Sequence, residues 1–115
     1  MSTAVLDGHH QYFRGYSVLV LRGHATELYD LDPETRRKFV EDANRLASAL
    51  ARTFKPLKMN YCLLGNTTEH LHWHLIPRRQ TDPDPKRPIW EQPFPKVDLT
   101  DDDFQQMADA IRGNL

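Results

Sequence analysis

Three of the six histidines in this 115-residue chain alternate with apolar residues in the segment HLHWH, residues 70–74. A period of two is typical of a β-strand, in which side chains two positions apart share one face of the sheet. The three imidazoles would then line one face, and the apolar side chains between them would pack against a hydrophobic core on the other. The segment therefore predicts a strand with an imidazole-lined surface outside the core.

Two helices are predicted from capping residues and apolar periodicity. The longer runs from Pro33 to about Phe54, with Asp32 as its cap and proline at the first helical position. Apolar residues recur within it with a period close to 3.6, and a proline two residues beyond its end stops it. A C-terminal helix follows Thr100, with Asp103 placed to complete a capping box.

Further strands are predicted on both sides of the long helix. Residues 12–21, YFRGYSVLVL, favour two short strand pieces or one bent strand with Gly15 at the bend. Residues 57–66 favour a strand that ends in a glycine–asparagine turn. After the histidine strand, residues 77–95 contain six prolines and favour a loop. These elements together predict an α+β fold.

Composition limits the class of protein. The length suits a single domain, residues 1–115, and 15 basic against 16 acidic residues give a formal net charge of −1. This balance disfavours a nucleic-acid groove or a membrane-surface helix, so neither partner is expected. The one cysteine, Cys62, cannot form an internal disulfide. No apolar run could cross a bilayer and no signal peptide is evident. A soluble, cytoplasmic protein is therefore expected.

Three uses of an imidazole-lined face compete. Three imidazoles can hold Zn²⁺ with one open coordination position. Alternatively, one neutral imidazole can attack phosphorus while its neighbours handle protons and charge. The histidines could also be surface residues without a function, which their strict alternation against an apolar face disfavours.

The residues before the histidine strand favour phosphate over metal. The turn at Gly65 would expose backbone N–H groups, and Asn66 and Thr67 add an amide and a hydroxyl. Asn60, on the preceding strand, adds another amide. No nearby Glu or Cys is spaced to complete a metal site, because Glu69 would alternate onto the opposite face. No metal site is therefore expected.

The segment HLHWHLIPR resembles the signature of the histidine triad (HIT) family of nucleotide hydrolases and transferases. RGYSVLVLRGHATELYDLDPE resembles the family's strand, turn and helix start, and MNYCLLGNTTEHLHWHLIPR resembles its strand, turn and triad strand, in the same order. DPDPKRPIW resembles the proline-rich segment in the branch related to dinucleoside polyphosphate hydrolases. The resemblance implies a five-stranded antiparallel sheet with one long helix packed on it, and a homodimer.

The resemblance also implies roles for the three histidines. His72 would be the nucleophile on the α-phosphate, giving a covalent nucleotidyl-histidine that water then hydrolyses. His70 would orient and polarise the site. His74 would contact the α-phosphate and stabilise its developing charge. The expected activity is hydrolysis of a nucleotide at a substituted α-phosphate.

Substrate-binding residues follow from the same resemblance. Asn66 and Thr67, beside the Gly65 turn, match phosphate-binding positions, and Asn60 matches a phosphate-contacting asparagine. Asp7 lies near the place where relatives hold the ribose hydroxyls. No cofactor is expected to be required, and Mg²⁺ would enter only with the substrate.

The chain also departs from the family pattern. Glu69 stands where this branch often has proline before the first histidine, and Tyr16 stands where other branches carry a further histidine. Dinucleoside polyphosphates such as diadenosine tetraphosphate are the first choice of substrate. The alternatives are nucleoside phosphoramidates or adenylyl conjugates, or a nucleotide-binding sensor with little turnover.

Overall fold

The computed structural model describes residues 2–115 and contains an antiparallel sheet with two helices. Within that part of the chain the sheet has four strands, in the order β1-β2-β4-β3. The strands are β1 (Ser2–Leu6), β2 (Ser17–Leu21), β3 (Lys58–Cys62) and β4 (His72–Arg78). The helices are α1 (Pro33–Phe54) and α2 (Asp101–Arg112), and 3-10 turns occupy Leu28–Asp30 and Ile89–Glu91.

The long helix α1 has the predicted bounds. Oδ2 of Asp32 accepts a hydrogen bond from the backbone N–H of Thr35 at 3.1 Å, and Lys55 ends the helix in a left-handed conformation at φ 49°. Its buried residues pack with residues of the sheet, including Leu19 and Leu75. Because successive strand residues point to opposite faces, helix α1 covers the face opposite to His72 and His74.

The C-terminal helix α2 is also confirmed. The hydroxyl of Thr100 accepts from the N–H of Asp103 at 3.1 Å, and the Asp103 carboxylate accepts from the N–H of Thr100 at 2.9 Å. This is the predicted capping box. Met107 and Ile111 are its buried residues, and Ile111 joins the core that lies between α1 and the sheet.

The expectation of a five-stranded sheet is wrong for residues 2–115, which contain four strands. The predicted strand at residues 12–21 is reduced to β2, because the chain turns before Ser17. The Gln11 side chain holds this turn: it donates to the carbonyl of Tyr16 at 2.9 Å and accepts from the N–H of Gly15 at 3.0 Å. Gly15 has φ 91°, in the region that residues other than glycine rarely adopt, so the regular strand does not extend through it. Strand β1 was not predicted.

The proline-rich segment after β4 folds back over the face of the sheet that carries the histidines. Arg78 is 1% exposed and anchors it. Its guanidinium donates to Asp82 Oδ2 at 2.9 Å and to the carbonyls of Asp84 and Arg87 at 3.0 and 2.6 Å. Ile89 is fully buried, in a cluster that includes Ile76 of β4. These hydrogen bonds of Arg78, together with the burial of Ile89, form a clamp that holds the segment carrying Trp90 against the sheet.

Within residues 2–115, neither helix is long and apolar enough to cross a lipid bilayer.

Candidate active site

Two imidazoles meet at the start of β4, in the middle of the sheet. The rings of His72 and His74 are 4.8 Å apart between centroids, and their Nε2 atoms are 3.1 Å apart. β4 lies between β2 and β3, with Val18 and Cys62 opposite His74 in the register. His74 is thus paired on both sides, whereas His72 is paired with Val20 of β2 only. Alternation predicted three imidazoles on one face of a strand; the structure brings His72 and His74 together, and β4 begins after His70.

The hydrogen bond at Nδ1 of His72 determines its tautomer. Nδ1 lies 2.7 Å from the backbone carbonyl oxygen of His70. A carbonyl oxygen only accepts, so Nδ1 carries the proton, and a neutral His72 has its lone pair on Nε2. Nε2 is therefore the atom that can act as a nucleophile.

His74 completes a chain of hydrogen bonds that starts at Tyr16. The Tyr16 hydroxyl lies 2.7 Å from Nδ1 of His74, and Nε2 of His74 faces Nε2 of His72 at 3.1 Å. When both imidazoles are neutral, the lone pair of His72 requires His74 to donate from Nε2. Nδ1 of His74 must then accept from Tyr16. The Tyr16 hydroxyl thus donates to His74, His74 donates to His72, and His72 donates to the carbonyl of His70.

The electrostatics favour the same protonation pattern. Burial, first, and then the nearby His72 lower the pKa of His74 below its usual value, so the neutral imidazole is favoured. Burial and the Asp7 carboxylate raise the pKa of Tyr16, whose side chain is 1% exposed. The phenol therefore stays protonated and remains a hydrogen-bond donor to His74.

His70 acts on this pair through its backbone. Its ring Nε2 lies 2.6 Å from the carbonyl oxygen of Leu21, at the end of β2, to which it donates. Its own carbonyl accepts from His72. The regular strand begins at His72, so His70 precedes it. His70 thus orients His72, and its imidazole is anchored to the neighbouring strand.

The predicted phosphate-binding turn borders the histidine pair. Gly65, Asn66 and Thr67 line a cleft of about 260 Å³ together with His72 and His74. Leu64, Thr68 and Trp90 complete the lining. Gly65 has φ 82°, in the left-handed region that glycine adopts readily. The cleft therefore places amide, hydroxyl and backbone donors next to an imidazole whose Nε2 can act as a nucleophile.

Asn60 lies outside this cleft. Its Oδ1 accepts from Nη1 of Arg78 at 3.0 Å, and it lines an adjacent groove of about 380 Å³ that also contains Lys58, Cys62 and Trp90. The oxygen of its amide thus supports the buried arginine. A phosphate contact from Asn60 stays a prediction.

Asp7 is also outside the cleft, and its carboxylate holds a turn. Oδ1 accepts from the N–H groups of His9 and His10 and from Nδ1 of His10, each at 2.8 Å. The His10 ring in turn packs 5.5 Å from the ring of Tyr16. Asp7 is therefore linked to Tyr16 through the His10 ring. A contact of Asp7 with a ribose stays a prediction.

Two residues of the site were not assigned a role from the sequence. The sequence marked Tyr16 only as a departure from the family pattern. It lies one residue before β2 and two before Val18, the partner of His74, so it shares a face with Val18. Trp90 lies in the proline-rich segment, which was expected to be a loop and gave no site residue. Its ring lies 5.4 Å from that of His74 and the residue is 44% exposed. The other tryptophan, Trp73, packs against Phe39 in the core, with 6.0 Å between the ring centroids.

Metal-ligand geometry is not found in the described chain. Among residues 2–115, no three His, Cys, Asp or Glu side chains converge as a metal cluster. The imidazole nitrogens of the triad are instead bonded to carbonyl oxygens, to Tyr16 and to each other. This arrangement suits nucleophilic attack better than Zn²⁺ coordination.

A family model described as the HIT domain matches residues 3–81. Among curated proteins, adenosine 5'-monophosphoramidase HNT1 of Saccharomyces cerevisiae is 30% identical over 66 residues, which cover 56% of this chain and 42% of that protein. The chain thus spans less than half the length of this curated relative.

Solved structures of similar proteins share the fold. A histidine triad protein from Sinorhizobium meliloti is 25% identical, with a TM-score of 0.88 over 99% of this chain and 83% of that one. A histidine triad protein from Bradyrhizobium japonicum is 27% identical, with a TM-score of 0.87 over 99% and 84% of the two chains. The likeness extends over nearly the whole of this chain.

Proposed function

Because this chain belongs to the histidine triad family, we propose that it hydrolyses nucleotides at a substituted α-phosphate through a covalent nucleotidyl-histidine on His72. The observation that carries the proposal is the hydrogen bond of 2.7 Å from Nδ1 of His72 to the carbonyl of His70. This bond leaves the lone pair of His72 on Nε2, beside the phosphate-binding turn. The lone pair accepts from Nε2 of His74 until that proton turns to a phosphate oxygen.

In the first step, Nε2 of His72 attacks the α-phosphorus and a P–N bond forms. The bond from phosphorus to the leaving group breaks, and the leaving group departs with its electron pair. In the second step, water attacks the same phosphorus, the P–N bond breaks, and the electron pair returns to Nε2. The water loses one proton to solvent. An amide leaving group takes up one proton from solvent as it departs, so the products are a nucleoside monophosphate and either the polyphosphate or ammonia.

The surrounding groups support these two steps. His74 carries its proton on Nε2, 3.1 Å from the nucleophile, where it can donate to a phosphate oxygen as charge develops. Asn66, Thr67 and the backbone at Gly65 line the same cleft and would hold the other phosphate oxygens. His70 holds His72 in the tautomer that can attack.

Dinucleoside polyphosphates are the proposed first class of substrate, on the resemblance of the segment DPDPKRPIW to that branch. Phosphoramidates are the second class, favoured by the similarity to a yeast adenosine 5'-monophosphoramidase. A nucleotide-binding sensor with little turnover is the third proposal. Both hydrolases would release AMP from an adenosine substrate, and they differ in the leaving group.

Product analysis tests the proposal. Diadenosine tetraphosphate and adenosine 5'-phosphoramidate are each incubated with the wild type and with His72→Ala. AMP together with ATP from the first substrate, formed by the wild type only, would establish attack at the α-phosphate. AMP from the phosphoramidate alone would favour the second class. Saturable AMP binding without turnover of either substrate would favour the sensor.

A homodimer is proposed as well. β3 is an edge strand, so one side of its backbone has no partner strand within residues 2–115. Leu57, Tyr61 and Leu64 on or beside this edge are 63%, 50% and 59% exposed. Pairing of two β3 strands would cover these side chains and leave the histidine face open. Sedimentation of the wild type beside Tyr61→Asp tests whether β3 forms the dimer.

The cytoplasmic location and the arrival of Mg²⁺ with the substrate also stay proposals.

A further inference from the structure

Charge is distributed unevenly on the two sides of the triad. On the side of His70, a small cleft of about 120 Å³ is lined by Glu27 and Glu69 together with His70 and His72. Both glutamates are exposed, and neither makes an ion pair within residues 2–115. A polyphosphate that extended in this direction would meet two carboxylates.

The side of His74 is basic. Trp90 borders the triad cleft and also the adjacent groove of about 380 Å³. The exposed residues Lys58, Lys86 and Arg87 line this groove. Neither lysine makes an ion pair within the described residues, and only Arg87 is partly neutralised, by Asp84 at 3.6 Å. An anion would therefore be attracted into the groove.

The wall and the floor of the groove are held in place. The floor belongs to β3, which pairs with β4 in the sheet. The wall, residues 85–90, is anchored by buried Arg78 and by Ile89 in a core cluster. Trp90 therefore presents its half-exposed indole from a fixed position, 5.4 Å from the His74 ring. A fixed, exposed indole beside cations suits a planar base that carries phosphates.

We infer that the groove beyond Trp90, lined by Lys58, Lys86 and Arg87, is the leaving-group subsite and takes a nucleoside polyphosphate. This inference rests on the proposed attack by His72 and adds the direction of the substrate to it. When His72 attacks diadenosine tetraphosphate at an α-phosphorus, the leaving group is ATP. ATP would pass from the triad cleft into the groove, its phosphates near the cations and its base on Trp90. Ammonia, the leaving group of a phosphoramidate, would use none of these contacts.

A comparison of the two substrates tests the inference. kcat/KM is measured for diadenosine tetraphosphate and for adenosine 5'-phosphoramidate in Trp90→Ala and in Lys58→Ala/Lys86→Ala. We expect each variant to lose about tenfold for the dinucleotide at low salt, from lost stacking or lost charge. The rate with the phosphoramidate should stay within about twofold in Lys58→Ala/Lys86→Ala, and in Trp90→Ala it should fall less than the rate with the dinucleotide. Trp90→Phe should recover most of the loss, and Lys96→Ala, a change at a distant exposed lysine, should have no effect.

Two outcomes would overturn the subsite. An equal loss with both substrates would mean that Trp90 only supports His74, and an unchanged rate with the dinucleotide would mean that the groove is not used.

A binding measurement separates the subsite from the catalytic proposal. ATP and AMP are titrated into His72→Ala, with and without Trp90→Ala, by calorimetry. A loss of about tenfold for ATP alone supports the subsite even if the wild type hydrolyses neither substrate, in which case the catalytic proposal alone fails. If the wild type hydrolyses both substrates but Trp90→Ala does not change the ATP affinity of His72→Ala, the subsite alone is overturned.

Discussion

The hydroxyl of Tyr16 lies 2.7 Å from Nδ1 of His74, and the opposite nitrogen of that ring faces His72, the proposed nucleophile. The raised pKa of Tyr16 keeps the phenol protonated near neutral pH, so it can donate to this nitrogen. Because the lone pair of His72 faces the opposite nitrogen, this donation favours the tautomer of His74 with its proton on Nε2. The position of one buried hydroxyl thus determines which atom of His74 can donate to a phosphate.

Removing this hydroxyl should slow the reaction and leave the fold intact. In Tyr16→Phe, Nδ1 of His74 loses its donor, and both neutral tautomers become populated. We expect kcat to fall about tenfold, the scale of one hydrogen bond. Tyr61→Phe, at an exposed tyrosine on β3, serves as the matched control and should keep the wild-type rate.

Nitrogen NMR separates this effect from a loss of packing. Labelled His74 should show one tautomer, with the proton on Nε2, in the wild type, and a mixture in Tyr16→Phe. A single unchanged tautomer in the variant would contradict the role given to Tyr16.

Stability should fall on acidification partly because of His74. Its pKa is lowered in the folded state, mainly by burial, so the unfolded chain binds the proton more readily. The neutral imidazole contributes stability above the unfolded value of about 6.5, and this contribution is lost as pH falls through the lower folded value. Melting temperatures from pH 7.5 to 5 should therefore fall more steeply for the wild type than for His74→Gln. Parallel curves would contradict this, and the exposed His9→Gln should follow the wild type.

Arg78 should be among the most important single residues for stability. Arg78→Met would remove the closer ion pair of the Asp82 carboxylate, at 2.9 Å, and leave this fully buried side chain with Arg79 at 3.6 Å. We expect the free energy of unfolding to fall by about 3 kcal/mol, as for other broken buried pairs. Urea denaturation measures this loss. The control Arg37→Met, at an exposed site on α1, should change stability little, and an equal loss there would contradict the clamp.

The helices and the histidine strand could be predicted because local signals determine them. Asp32 and Thr100 cap their helices as their residue types predict. Alternation placed His72 and His74 on one face, where their rings are in contact. Such features depend on neighbours in the sequence, so no knowledge of distant contacts was needed.

Other features depend on long-range packing and were missed or misread. β1 is short and its middle is exposed, so it has little apolar alternation of its own and depends on pairing with β2. Arg78 carries a charge, which is typical of a surface residue, yet it is buried. One of its hydrogen-bond partners, Asn60, lies 18 positions earlier in the sequence. Trp90 is 16 positions beyond His74 in sequence, and only the fold of the proline-rich segment brings the two rings together.

The covalent intermediate tests the central claim most directly. Enzyme mixed with diadenosine tetraphosphate is quenched within its first turnovers and analysed by mass spectrometry of intact protein and peptides. The account predicts a mass increase of one adenylyl group on the peptide that contains His72, absent from His72→Ala. Rapid formation of AMP without any adenylylated peptide, or with the adenylyl group on another residue, would contradict attack by His72.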